Sequence, residues 1–389
     1  MKHGLWRQSA KHNLTKLFWS SAAAFIAVVG VLSGFSEVAS AQSKVRLETI
    51  TNGLSYPWSV AFLPDGGYLV TERDGILKHV DLEGLQTTVP GTPEVFAQGQ
   101  GGLLDVVLSP EFESDRTVFM TFSQGSVEGA GTSIFRAKLE AGSAGFALTD
   151  GSTIFTGNNK AYGGRHFGSR LAFAPDGALF MTLGDRGDGP RAQAPDDHAG
   201  SVLRLTSDGA AAPGNPFLGD HAYKPEIWSI GHRNPQSAAI NPASGQLWTV
   251  EHGARGGDEV NIPQAGKNYG WPVISYGRHY SGGKIGEGIE QDGMEQPIHY
   301  WDPSIAPSGM SFVTSNKYPD WQGDLLVGAL RGQHLAKLEL NGEKVVSEEQ
   351  LLTDLSERIR DVREAPDGYI YVLTDSDDGA LIRLVPENN

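Results

Sequence analysis

"YGGRHFGSRLAFAPDGALFMTLGDRGD" occupies Tyr162 to Asp188. From Ser169 it reads as an apolar strand, a Pro-Asp-Gly turn, a second apolar strand and a polar exit. Proline presets φ at the start of a tight turn and glycine accepts positive φ at its end, so the chain reverses there. Short β-rich runs on either side of such a turn form a hairpin. Two polar residues sit oddly in this pattern. His166 lies in the glycine-rich lead-in, and Asp185 terminates the second apolar run.

The same unit recurs along the chain. Six copies begin at Trp58, Gly102, Ser169, Ser237, Gly309 and Ile359, the last reading "IRDVREAPDGYIYVLTDSDDGALIRLV". Their starts are 44 to 72 residues apart. A four-stranded blade needs about 40–45 residues, so the excess is loop. Fifty glycines and 21 prolines suit a loop-rich all-β chain, and no long stretch has helical periodicity. The expected fold is all-β, a six-bladed β-propeller, whose radial closure leaves only short protected edges. "VRLETI", Val45 to Ile50, is expected to close the ring by pairing with the last blade. A β-sandwich or a two-domain β protein is the competing architecture, and six copies of one hairpin favour the ring.

Ahead of the repeats stands a different kind of sequence. Lys2, Arg7, Lys11 and Lys16 precede an uncharged apolar stretch, Leu17 to Leu32, and Ala39-Ser40-Ala41 follows. That order reads as a cleaved secretory signal peptide over residues 1–41, with the propeller domain over 42–389 and a periplasmic destination. The apolar stretch is short against the ~20 residues that span a bilayer, so no stable membrane span is expected after cleavage. The formal charge is −15, and removing a leader with four Lys/Arg and one Glu takes it to −18. Nucleic acid is excluded as a partner, because phosphate neutralisation needs a basic face. There is no cysteine. Thiol nucleophiles are therefore excluded, and an exported chain of this kind relies on core packing or bound metal.

In a propeller, strand ends at one face surround the axis. The inner hairpins deliver Gln100, His232, Arg233, Asn234, Arg331, Arg358 and Arg360 to comparable places. Arginines gathered in so acidic a chain point to an anionic ligand, since their planar forks bind carboxylates bidentately. Each arginine capping a neighbouring blade through an Asp is the alternative. His166 and Asp185 are 19 residues apart across one hairpin. A carboxylate near an imidazole fixes its tautomer and is expected to raise its basicity, the arrangement of a general base; a structural histidine is the other reading. Neither a Gly-x-Ser-x-Gly elbow nor a His-Glu-x-x-His pair occurs. "RGGDEVNIPQAGKNYGWP" offers Asp258, Glu259 and irregular carbonyls, hard oxygens of the kind Ca²⁺ takes.

Taken together and in order, "GQGGLLDVVLSPEF", "GGRHFGSRLAFAPDGALFMTLGDRGD", "IWSIGHRNPQ", "EHGARGGDEVN", "GKNYGWP" and "ERIRDVREAPDGYIYVLTD" resemble the soluble pyrroloquinoline-quinone-dependent glucose/sorbosone dehydrogenases, in particular their periplasmic aldose sugar dehydrogenase branch. The resemblance implies a six-bladed propeller that oxidises aldose sugars at the anomeric carbon to the lactone. It implies His166 as base, Asp185 as its partner and Arg233 as stabiliser of developing negative charge. Gln100, Arg233, Asn234, Tyr280, Arg331, Arg358 and Arg360 would bind the quinone, whose three carboxylates account for the arginines. Ca²⁺ would sit on the carbonyls of Gly253 and Ala254, and a second Ca²⁺ on Glu259 and the Tyr269 carbonyl. Electrons would pass to a quinone or cytochrome acceptor, from a monomer or homodimer. Two departures stand out. The family often has Lys where Arg331 stands, and its glucose-specific members have Gly-Pro where this chain has Gly253-Ala254. The chain is also shorter than those members, which implies a more open cleft and looser sugar selectivity. Two rival functions share the fold. A Ca²⁺-dependent propeller lactonase would hold a central metal on side-chain carboxylates and Asn, without an arginine cluster. A non-catalytic sugar-binding propeller would reduce no dye.

Overall fold

The computed structural model describes residues 45–143 and 145–387; the expected leader over 1–41 lies outside them. Six antiparallel four-stranded sheets follow one another along the chain. Each expected hairpin supplies the inner two strands of one sheet. Blade 3, for example, runs Leu171–Phe173, Leu179–Thr182, Ser201–Leu205 and Ile227–Ile230. The Pro-Asp-Gly turn sits between its first two strands, with Leu171 opposite Met181 and Phe173 opposite Leu179. The innermost strands of successive blades touch around a ring. The fold is therefore the six-bladed β-propeller expected from the repeats.

Blade 6 is assembled from both ends of the described chain. Ile359–Glu364, Ile370–Thr374 and Gly379–Pro386 are joined by the strand Val45–Leu54, which pairs antiparallel with Gly379–Pro386. This is the closure that "VRLETI" suggested. Arg46 faces Val385 and Leu47 faces Leu384 across the seam.

The inner strands are buried along almost their whole length, so both faces of each sheet pack against a neighbour and the core is laid down between sheets. Ala61, Leu69 and Leu77 of blade 1 pack on Val106, Val118 and Met120 of blade 2. Trp248 and Val250 of blade 4 pack on Met310 and Val327 of blade 5. Leu54, Leu373 and Leu381 of blade 6 pack on Val60 and Val70 of blade 1. Around the axis the core changes character. Arg170 donates to Asp105 at 3.1 Å and lies 3.0 Å from Asp361, and Arg363 joins the same two carboxylates at 3.0 Å each. Arg170, Asp105 and Asp361 are almost wholly buried. This lattice links the inner strands of blades 2, 3 and 6, with Ser59 of blade 1 donating to Asp105 at 2.6 Å. Buried charges persist only when paired. The ion pairs tie together strands of three blades around the axis.

Candidate active site

First-strand starts and second-strand ends converge on one face. His166 lies just ahead of the first strand of blade 3, and Asp185 lies just past the second. Gly184 brings them together, since a Cβ there would collide with the His166 carbonyl. His166 has φ +55°, a left-handed conformation costing about 1–3 kcal/mol in a non-glycine residue. Its backbone N–H is held by the Gln100 side-chain oxygen at 2.7 Å.

His166 Nδ1 lies 2.6 Å from Asp185 Oδ1, and both residues are buried. Gly187 N–H donates to the same oxygen at 2.7 Å, and the Trp271 indole N–H donates to Oδ2 at 2.8 Å. Burial pushes the Asp185 carboxyl up, but the hydrogen bond and charge of His166, the Gly187 N–H and Arg233 together hold it below the ordinary carboxylate value. An ionised Asp185 places the imidazole proton on Nδ1. Nε2 is left as a lone pair without a partner among the described residues. The expected gain in basicity is corrected here. Burial lowers the His166 pKa, and the opposing pull of Asp185 does not overcome it together with the charges of Arg233 and Arg165. The imidazole is thus kept neutral, ready to accept a proton, at neutral pH.

Two neighbouring cavities use these residues. One, of about 270 Å³, is lined by Trp58, Arg73, Gln100, Phe167, Arg358 and Arg360, with Asp375 among the other walls. The other, of about 420 Å³, is lined by His166, Asp185, Arg233, Ala254, Trp271 and Tyr280 among others. In the first, Arg358 reaches Asp375 at 2.8 Å and Arg360 reaches it at 3.1 Å. The capping alternative therefore holds for part of the cluster. Three guanidinium groups still face a single carboxylate. Several donors at the two cavities are buried with no partner among the described residues: Nε of Arg73 and Arg360 in the first and Nε of Arg233 in the second, with Nδ2 of Asn234 next to Arg233 in the chain. Buried polar atoms are nearly always satisfied, so these donors mark where a polar ligand fits. Arg331 is exposed, donates to the Ser304 carbonyl at 3.5 Å and lines neither cavity. Tyr280 is 74% exposed at the mouth of the larger cavity.

The Gly253 carbonyl accepts a hydrogen bond from Arg233 Nη1, so a metal ion on Gly253 and Ala254 would compete with that guanidinium for one oxygen. Glu259 lies deeper in blade 4. Asn261 Nδ2 donates both to Glu259 (3.1 Å) and to Glu251 (3.0 Å), so the two carboxylates lie close together. Burial, then the charge of Glu251, push the Glu259 carboxyl up to about 8. His232 bonds Glu251 at 2.9 Å and stacks on Tyr269 at 4.8 Å. Among the described residues no three His, Asp or Glu side chains converge as a metal-ligand set. Any cation here would depend on carbonyl oxygens.

Sequence reasoning missed Arg73, Trp58, Phe167 and Trp271. Arg73 was findable: it leaves the second strand of blade 1 as Asp185 leaves that of blade 3. Trp271 was not, because it comes from a long excursion between the third and fourth strands of blade 4.

Comparison with known proteins gives three findings. Residues 54–383 match the family model described as Glucose / Sorbosone dehydrogenase. The chain is 46% identical over 353 residues to the aldose sugar dehydrogenase YliI of Escherichia coli K12, covering 90% of this chain and 95% of that protein. Among solved structures, it resembles the apo soluble aldose sugar dehydrogenase of Escherichia coli (45% identity, TM-score 0.85, 88% of this chain and all of that one). It also resembles the PQQ-bound aldose sugar dehydrogenase of Streptomyces coelicolor (29% identity, TM-score 0.74, 88% and 99%).

Proposed function

The chain belongs to the glucose/sorbosone dehydrogenase family, and on that premise we propose that it is a quinone-dependent oxidoreductase that converts aldose sugars to lactones at the anomeric carbon. The observation that carries the reading is the buried His166–Asp185 pair, 2.6 Å apart, beside an arginine-lined cavity. Pyrroloquinoline quinone fits that cavity by charge and by donor count. Arg73, Arg358 and Arg360 would take its carboxylates, and Asn234 Nδ2 and the Gln100 amide would hold its ring system. When bound, the quinone supplies the hydride acceptor.

The chain's own residues do the rest. His166 Nε2 takes the proton of the anomeric hydroxyl, general-base work worth about 10²–10⁴-fold. Asp185 keeps the other ring proton on Nδ1 and so keeps Nε2 pointing its lone pair outward. Arg233, with Nε free, stabilises negative charge developing on the reacting oxygens. Trp271, Tyr280 and Ile285 form an apolar wall of the larger cavity against which a sugar ring lies. Ca²⁺ would rest on the Gly253 and Ala254 carbonyls, and a second ion would bind Glu259 and the Tyr269 carbonyl. Residues 1–41 would direct the chain to the periplasm, and a quinone or cytochrome would receive the electrons. A lactonase reading finds no support in the guanidinium-lined cavity.

The test is reconstitution. Purified protein is titrated with pyrroloquinoline quinone and Ca²⁺, then screened with aldoses, an artificial electron acceptor and product analysis for lactone. Saturable quinone uptake and sugar-dependent dye reduction are expected. Sugar oxidation without the quinone, or no uptake of it, would overturn the proposal.

A further inference from the structure

Trp271 touches both charged partners of the proposed base. Its indole N–H donates to Asp185 Oδ2 at 2.8 Å. Its ring carries the Arg233 guanidinium on one face, 5.2 Å from the centroid. The residue is itself clamped. Its backbone N–H donates to the Gly231 carbonyl at 2.9 Å, and its carbonyl accepts from Gln193 Nε2 at 2.7 Å. Gly189 packs so close that a Cβ there would come 3.2 Å from the indole nitrogen. The side chain has little freedom to leave.

We infer that Trp271 is a positioning residue for this reaction: its N–H fixes the Asp185 carboxylate that orients His166, and its ring face fixes Arg233. The inference rests on the reading of His166 as base. The physical reason is geometric. Asp185 could turn about its terminal torsion and still touch His166; a second donor on Oδ2 removes that freedom. The Arg233 guanidinium has no carboxylate ion-pair partner among the described residues; the His252 and Gly253 carbonyls accept from Nη1, and the ring quadrupole holds its plane without a countercharge that would weaken it. Trp271 thereby links base and electrostatic stabiliser through one rigid plate, donated by blade 4 to a pair built on blade 3.

The sign of the effect on His166 follows. The groups that face its imidazole are Asp185, Arg233, Arg165 and His252. The indole N–H draws off part of the negative charge of Asp185. Trp271→Phe keeps the ring and deletes the donor, so Asp185 bears on the imidazole more strongly and protonation of His166 becomes easier.

The experiment is a pH titration of His166 by histidine-selective NMR in the cofactor-free protein, for the wild type and Trp271→Phe. It is paired with kcat and KM over pH on the quinone-loaded enzymes. The expected result is an upward move of the His166 titration and of the acidic limb of kcat/KM. Turnover should fall about ten-fold, the scale of one hydrogen bond to a charged group. In the Asp185→Asn background, Trp271→Phe should then move neither quantity. An unmoved titration, or a rise in KM alone, overturns the inference, the latter because it would make Trp271 only a platform for the sugar. If Trp271→Phe fails to fold, Gly189→Ala takes its place. Its Cβ crowds the indole from the carboxylate and should move the titration in the same direction; an unmoved titration there overturns the inference equally. Failure of the underlying reading looks different: the wild type itself would take up no quinone and oxidise no sugar.

Discussion

His166 holds a left-handed backbone, φ +55°, and places a neutral imidazole against an ionised Asp185. Strain of this kind survives only where the surroundings over-determine it, and here Gln100, Gly184 and Asp185 do so. His166→Asn is expected to stay folded and to bind quinone, since the arginines are untouched, while turnover falls at least about 10²-fold. Melting temperature, quinone stoichiometry and turnover on one preparation check this; near-normal turnover in a loaded variant would refute the base role. The pH dependence has a definite sign. Because the folded His166 pKa lies below the unfolded imidazole value, the base is free at neutral pH, and the acidic limb of kcat/KM should fall below the ordinary imidazole range. The same depression means that stability declines as pH drops below that range, where the unfolded chain takes up a proton that the folded one refuses. The pair was legible in the sequence because hairpin register joins residues 19 apart. Its electrostatics were not, since the desolvation that lowers the imidazole comes from packing across blades.

The repeated hairpin delivers polar residues from every blade but one to comparable places. Arg73, Asp185, His252, Arg331 and Asp375 all leave second strands on the same face. Position in the repeat thus selects candidates, but it does not decide what each side chain does there. Arg331 turns out to the surface, whereas Asp375 turns in and neutralises part of the arginine cluster. Long excursions lie beyond reach of the repeat. The segment between Asp258–Asn261 and His299–Trp301 brings Trp271 and Tyr280 to the larger cavity; Tyr280 was expected there only through the family resemblance, and Trp271 not at all. If a Ca²⁺ joins Glu259 to the Tyr269 carbonyl, it ties that excursion to its blade. Ca²⁺ should then raise the melting temperature, by about 2.7 kcal/mol of stability at a hundred-fold excess over Kd. Glu259→Gln should lose that gain, as calorimetry with and without chelator would show. An equal Ca²⁺ response in the variant would remove Glu259 from the site.

At the scale of the whole ring, stability is spread over interfaces between blades and an axial lattice of Arg170, Arg363, Asp105 and Asp361. The ring itself was readable from six copies of one hairpin. The axial lattice was not, because its members are single residues on separate repeats whose meeting depends on closure. Removing residues 45–54 should leave blade 6 with three strands and uncover the leucines that Leu54 packs against. A loss of at least about 3 kcal/mol is expected from the lost apolar burial and ladder bonds, together with a tendency to self-associate through the opened edge. Denaturant unfolding and light scattering test both. The seam has a further consequence for biosynthesis. Val45–Leu54 pairs with Gly379–Pro386, so the earliest-made strand must wait for nearly the last-made one. Five blades are each made from one continuous stretch of chain, whereas the sixth needs both ends of the described residues. A ribosome stalled late in the message would therefore release a product with an unpaired edge, open to proteases, and only full-length chains would mature into a closed ring.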